Sequence, residues 1–116
     1  MIQIKLGPDR PIDPSTDCLG RTRVGYRPGM SEEEAWEAGR ASWRLRSAAA
    51  LDETDVQIIG PGPEYLVLAR ATLTGLTKDL HHPPRFIIEG DVVKGHPAVG
   101  QPSRYPHPSQ NSVRYV

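Results

Sequence analysis

Ser31-Glu32-Glu33-Glu34-Ala35-Trp36-Glu37-Ala38-Gly39-Arg40-Ala41-Ser42-Trp43-Arg44-Leu45 carries the strongest structural signal in this chain. Ser31 followed by Glu34 is a capping box: the Ser31 hydroxyl accepts from the Glu34 amide while the Glu34 carboxylate accepts from the Ser31 amide. The three glutamates of the first turn also oppose the positive end of the helix dipole. The pattern predicts a helix over residues 32–46, inside a helical block 31–46. Trp36 and Trp43 lie seven residues apart, which leaves them about 20° from alignment on an ideal helix. Both indoles therefore fall on one face, predicted to be the buried one, with Gly39 between them. Gly39 lowers helix propensity by roughly 1 kcal/mol relative to Ala, and its missing side chain would let another backbone approach closely between the rings.

Toward the N-terminus, Ile2, Ile4 and Leu6 alternate with Gln3 and Lys5, the period-two signature of a half-buried strand. Residues 7–30 read as loop, because Pro8, Pro11, Pro14, Gly20, Gly25, Pro28 and Gly29 interrupt any long element. At most a short strand fits near Arg23-Val24-Gly25-Tyr26. Ser47-Ala48-Ala49-Ala50-Leu51 either prolongs the helix or opens a loop. The sheet is expected within residues 55–93, with strands at 56–59, 65–73 and 85–89. Gly60-Pro61-Gly62-Pro63 reads as a turn or short hairpin loop between the first two. The 65–73 run is apolar almost until Arg70, as expected of a strand covered on both faces, and is placed at the middle of the sheet. His81-His82-Pro83-Pro84 is a stiff connection, since a residue preceding proline is pushed out of the helical region. Residues 95–112 form a Pro- and Gly-rich arm, either an ordered wrap or a mobile one, before a terminal strand at 113–116. The chain contains no internal repeat.

Residues 1–116 suit a single domain, one that buries roughly two-thirds of the surface its unfolded chain exposes. A hydrophobic content of 37% with 24% charged residues belongs to a soluble globular protein, while 12 prolines and 11 glycines exceed average usage and point to much turn and loop. Fourteen basic and fourteen acidic residues cancel, so no global field draws in nucleic acid or a membrane surface; such affinity must come from a local patch. Cys18 stands alone, which excludes an internal disulfide and fits a reducing compartment. The opening Met1-Ile2-Gln3-Ile4-Lys5-Leu6 is too short and interrupted for a signal peptide, and no apolar run reaches membrane-spanning length. A cytoplasmic location with no membrane partner is expected.

Catalytic and metal chemistry find little support in the spacing. His81 and His82 are adjacent and project differently, His96 and His107 lie in separate loops, and no Cys-x-x-Cys or His-Glu-x-x-His pattern accompanies them. Cys18 would need a base and an electropositive setting to act as a nucleophile; Arg21 and Arg23 are near in sequence, but a lone thiol is more often inert. Glu32, Glu33, Glu34 and Glu37 are explained by capping and helix solvation. No catalytic residue, metal ligand or cofactor is assigned. The arginines say more. Arg40 and Arg44 lie one turn apart beside the Trp face, and Arg114 sits in the final strand, so the three could hold phosphate with Trp43, Tyr26 or Tyr115 as a stacking surface for a base. Against that, Arg40 is spaced to pair with Glu37, and the tryptophans are first of all core residues.

The block Tyr26-Arg27-Pro28-Gly29-Met30-Ser31-Glu32-Glu33-Glu34, continued by Glu37-Ala38, Arg40 and Trp43-Arg44-Leu45, resembles the C-terminal domain of a group of bacterial proteins whose N-terminal domain is a GIY-YIG nuclease. The ending Ser109-Gln110-Asn111-Ser112-Val113-Arg114-Tyr115-Val116 matches that group's closing Ala/Ser-Gln-Asn-Pro-x-x-Tyr-Val, with Ser112 in place of the proline. The likeness runs from about Tyr26 onward, its middle only as strand pattern. No nuclease domain is present, so nuclease activity does not carry over. The resemblance implies a PUA/ASCH-like domain in which a helix packs on a curved sheet beside a cleft for RNA, DNA or a modified base. Some ASCH-like proteins are small amidohydrolases, which would need a Lys, Glu and Thr set such as Lys78, Glu89 and Thr72.

The expected architecture is α+β: a small twisted mixed or antiparallel sheet, or a PUA-like barrel, of five or six strands with one main helix packed across it. The expected function is a non-enzymatic binding module for single-stranded nucleic acid or a nucleotide-like ligand, using Arg40, Arg44, Arg114, Trp43, Tyr26 and Tyr115. The alternatives are a protein-interaction or accessory module, and a small hydrolase of modified nucleosides.

Overall fold

Alternation in Ile2-Gln3-Ile4 sends the isoleucines to one side of a strand and Gln3 to the other, yet all three are buried to 0% exposure. The first strand is therefore covered on both faces, not half-buried as its pattern predicts. The computed structural model describes residues 1–116. β1 (Ile2–Lys5) pairs in parallel with β4 (Asp55–Ile59) and antiparallel with β7 (Val113–Tyr115). β4 runs antiparallel to β5 (Val67–Lys78), and β5 to β6 (Phe86–Val92), giving one five-stranded mixed sheet in the order β6-β5-β4-β1-β7. The sheet is open, with β6 and β7 at its edges, so the PUA-like barrel does not form. β4 occupies the middle, and the long apolar β5 lies one strand out from it. Apolarity on both faces marks any interior strand; it does not rank interior strands.

The helix begins as predicted. In α1 (Glu32–Gly39) the Glu34 amide donates to Ser31 Oγ at 3.1 Å and the Ser31 amide donates to Glu34 Oε1 at 2.9 Å. It ends well short of residue 46. Beyond Gly39 the backbone turns to the open edge of β6: the Ile88 amide donates to the Arg40 carbonyl at 2.7 Å, and Trp43 and Phe86 exchange backbone hydrogen bonds at 3.0 and 2.8 Å. Pairing an edge strand satisfies a row of backbone groups, and Gly39 and Ser42 are weak helix formers that offer little resistance. A separate short helix, α2 (Ser47–Leu51), follows.

Trp36 and Trp43 consequently do not share a helix face. Trp36 is 5% exposed and packs over Gly90, where a Cβ would lie 3.3 Å from the indole and 2.6 Å from the Thr72 carbonyl oxygen. Trp43 sits beyond the helix, half-buried against the same core, its indole N–H donating to the Gly39 carbonyl at 2.6 Å. Gly39 does allow close approach, but of side chains: a Cβ there would lie 2.7 Å from Ile58 Cδ1 and 3.3 Å from Leu6 Cδ2. The core under α1 joins Ile2, Ile4, Val56, Ile58, Ala69, Ala71 and Ile88 from the sheet to Ala35 and Trp36 from the helix.

The loop region 7–30 is an ordered lobe. β2 (Arg10–Pro11) and β3 (Arg23–Val24) form a small antiparallel ladder. Arg21 pins the lobe to α1: its guanidinium meets Asp17 through Nε and Nη2 at 2.9 and 2.8 Å and donates through Nη1 to the carbonyls of Glu37, Ala38 and Ala41 at 3.1–3.2 Å. A cation thus satisfies the open carbonyls of a helix C-terminus that has no basic residue in its own last turn.

The 95–112 arm is an ordered wrap over the sheet face away from α1. Its Gly100 amide donates to Val67 O and its Ser103 amide to Tyr65 O, while the Val67 amide donates to Gln101 O, each at 2.8 Å. Beneath it a polar row crosses four strands in register, Arg114, Gln3, Gln57 and Arg70. Arg114 Nε donates to Gln3 Oε1 at 2.7 Å, and Gln3 Nε2 donates to Gln57 Oε1 at 3.0 Å and to the Tyr105 carbonyl at 2.8 Å. Lys5 Nζ ties down the arm further along, at the His107 and Ser109 carbonyls. No helix is long and apolar enough to cross a membrane.

Candidate functional site

A cleft of about 580 Å³ opens between the 7–25 lobe and the junction where α1, the 41–43 segment and the β5–β6 hairpin meet. Ser42, Trp43, His82 and Arg85 line the junction side, and the lobe contributes Arg10, Asp13, Asp17 and Arg21. Its organiser is Asp79, only 1% exposed, at the head of the hairpin connection. Asp79 Oδ1 accepts from the His81 and His82 amides at 2.9 and 3.2 Å, an Asx turn that shapes the entry into Pro83-Pro84. Asp79 Oδ2 accepts from Ser42 Oγ at 2.6 Å and meets His82 Nδ1 at 3.2 Å. Burial would push this carboxyl up, but the Ser42 hydroxyl, the His81 amide and His82 together outweigh it and hold the group at about 2.

These contacts set what the wall can do. With the proton on Nδ1, His82 is oriented by a buried carboxylate, and its other ring nitrogen is uncommitted on a side chain that is 50% exposed. A carboxylate that fixes an imidazole this way sets its tautomer and orientation for proton transfer. Arg85 donates only to the Ser42 carbonyl, at 3.2 Å, and neither Arg85 nor Arg10 has a carboxylate partner. Arg21, by contrast, is fully committed to Asp17 and the helix end. Burial, then Asp79 and Asp17, push the Cys18 thiol up against the opposing pull of Arg21, so Cys18 stays a thiol and is no activated nucleophile. No group of three or more His, Cys, Asp or Glu side chains gathers to hold a metal.

The residues singled out from sequence do not assemble into one site. Arg40 is bound to Glu37 at 3.1 Å and to Glu89 and the Ile88 carbonyl of β6 at 3.2 and 3.3 Å. Arg114 lies on β7, at the opposite edge of the sheet, and is held by Gln3, Tyr105 and Pro106. Arg44 is exposed and makes no hydrogen bond that would join it to either. Tyr26 packs half-buried against the core beside Gly60. Tyr115 is 39% exposed on the β7 edge. Of the six, only Trp43 lines the cleft. Thr72, Lys78 and Glu89 are likewise strung along the β5–β6 hairpin: Thr72 faces Asp91, Lys78 faces Phe86 and Glu89 faces Gly75. At about 3.3 Å per residue, Thr72 and Lys78 are roughly 20 Å apart.

Asp79, Arg85 and Arg10 have no part in the functional expectations drawn from sequence, and His82 enters there only as a metal candidate set aside. Asp79 carried one signal, an aspartate two residues ahead of an amide it could cap, next to a Pro-Pro pair. His82 is placed locally, three residues after Asp79, whereas Arg85 and Arg10 are positioned by partners far along the chain, the Ser42 carbonyl and Val24. Neither known protein families nor curated proteins nor solved structures offer a match to this chain.

Proposed function

We propose that the chain is a binding module for a nucleotide-like anionic ligand or a short single-stranded nucleic acid, seated in the cleft of Arg10, Trp43 and Arg85. The observation that carries this reading is a pair of guanidinium groups without carboxylate partners beside a half-buried indole in one cleft. Planar guanidinium groups suit phosphate, and an indole face suits a base. A volume of about 580 Å³ falls within the usual range for small-molecule sites. The resemblance of the Tyr26–Leu45 block and the closing run to domains that accompany GIY-YIG nucleases leans the same way. Titration with ADP and with short single-stranded RNA, followed by Trp43 fluorescence, tests it. Affinity should fall steeply as salt rises. Arg10→Gln and Arg85→Gln should weaken binding and flatten the salt slope without moving the melting temperature. Arg40→Gln should instead lose stability and leave affinity intact. If neither ligand binds at low salt, the accessory-module reading, with a protein partner, takes its place.

A hydrolase acting in the same cleft is favoured by one observation, the Asp79–His82 pair, whose free ring nitrogen could take a proton from water. Turnover of a bound ligand that His82→Gln abolishes, with affinity kept, would establish it.

A further inference from the structure

We propose that a second pocket, between the β4–β5 face and the 98–105 segment of the arm, is a binding site for a small oxyanion, a phosphate or carboxylate group, held by Arg70 and Arg104. This pocket lies on the sheet face away from α1 and does not depend on the cleft already described.

Arg70 continues the polar row across the sheet, beside Gln57 in register, but the chain of hydrogen bonds stops before reaching it. Its side chain is only 18% exposed, its closest carboxylate oxygen, on Asp55, is 3.9 Å away, and Nε is fully buried without a partner. A guanidinium presents five N–H donors and no acceptor. Buried donors are rarely left orphaned, and a cation drawn out of water without hydrogen bonds is costly to keep. Arg70 borders a cavity of about 280 Å³ with no carboxylate side chain in its walls. The cationic and amide side chains there are donors. Gln57 uses Oε1 to accept from Gln3 and Ser103, which leaves its amide nitrogen free, and Arg104 is exposed with no ion-pair partner. The α-carboxylate of Val116 at the rim is the one acidic group there, and the Met1 amine donates to it and offsets its charge. Lys5 and Arg114, on the same face, bind arm carbonyls and no carboxylate, so their charges add to a positive field over the pocket. An oxyanion supplies what this set lacks, acceptors for both guanidinium groups and a compensating charge.

Proton–nitrogen correlation spectra would follow the Arg70 Nε–H and the amides of Ser103, Arg104 and Tyr105 during titration with inorganic phosphate, then sodium formate, then sodium chloride at matched ionic strength. Saturable shifts of these signals with phosphate or formate, absent with chloride, are the expected result. Tighter binding of phosphate assigns the site to phosphate esters, and tighter binding of formate to carboxylates. Arg70→Lys keeps the charge but loses the fork, and should weaken binding by roughly 10-fold or more. Arg104→Gln is an exposed change that leaves folding intact, and should weaken binding several-fold. The proposal is overturned if neither anion gives a saturable shift, if chloride reproduces the shifts, or if both variants bind as the parent does. It is equally overturned if the Arg70 Nε–H exchanges magnetisation only with water whatever anion is added, since water is then the occupant.

Discussion

Gly90 and Arg21 carry more of the fold than their residue types advertise. A Cβ at position 90 would lie 2.6 Å from the Thr72 carbonyl oxygen and 3.3 Å from the Trp36 indole. Gly90→Ala is expected to destabilise by roughly 1–3 kcal/mol through overpacking, read as a shift in the denaturation midpoint. Arg21 joins the lobe to the helix end through a pair whose members are 11% and 9% exposed. Removing the guanidinium strands Asp17 and three carbonyls, so Arg21→Gln should destabilise by about 3–5 kcal/mol. Arg21→Lys should recover only part of that, because an ammonium cannot fork between a carboxylate and a helix terminus. Neither role was legible in sequence. Gly90 reads as a strand weakener and Arg21 as one of several loop charges, since what defines each is a neighbour far along the chain. The capping box was legible because both of its partners lie within four residues.

Among elements, those written in local pattern appeared where expected: the first strand, the Gly60–Pro63 hairpin, the helix start and the terminal strand. The helix end did not, because the competitor that stops α1, the unpaired edge of β6, lies more than forty residues downstream. The arm was the most ambiguous element, and prolines and glycines could not say whether it was docked. Its backbone bonds to 65–67 and the Lys5 and Gln3 side chains settle its course. The Gly100 and Ser103 amides should therefore exchange with solvent at rates close to those of β5, while the unbonded Arg104 amide exchanges fast. Hydrogen exchange read residue by residue checks this, and uniformly fast exchange over 98–105 would contradict the docking.

Over the molecule as a whole, the net charge of zero is a balance in which the helix carboxylates are largely paired, by Arg27, Arg40 and Lys94, while several cations across the sheet are not. Glu32, Glu33, Glu34 and Glu37 crowd α1, while Lys5, Arg70, Arg104 and Arg114 lie on the far side of the sheet. The anion site expected between the Arg40/Arg44 edge and the C-terminal segment does not assemble, because Glu37 and Glu89 claim Arg40 and Arg114 lies at the opposite edge of the sheet; of these, local spacing encodes only the Glu37 pairing. Buried titrating groups give the molecule a pH signature. His107 is fully buried with neither ring nitrogen hydrogen-bonded, and burial, then Arg114 and Lys5, push its pKa down. The unfolded chain then binds the proton more readily, so stability is full above about pH 6.5 and falls as pH drops below it. His107→Gln should flatten that limb of the melting curve. Asp79, held at about 2, acts at lower pH. Its contribution, ~2 kcal/mol, is present above about pH 4 and lost as pH falls toward 2, a loss Asp79→Asn should not show.

The place of β1 between β4 and β7 has a consequence in time. Residues 2–5 leave the ribosome before both of their partners, residues 56–59 on one side and 113–115 on the other. Until those arrive, an apolar segment with both backbone edges open must wait, and it is the kind of segment that other unfinished chains can pair with. Closing such distant pairings makes refolding slow for so small a protein, on the order of milliseconds to seconds. A chain cut short before residue 113 would leave the seam of the sheet open along β1.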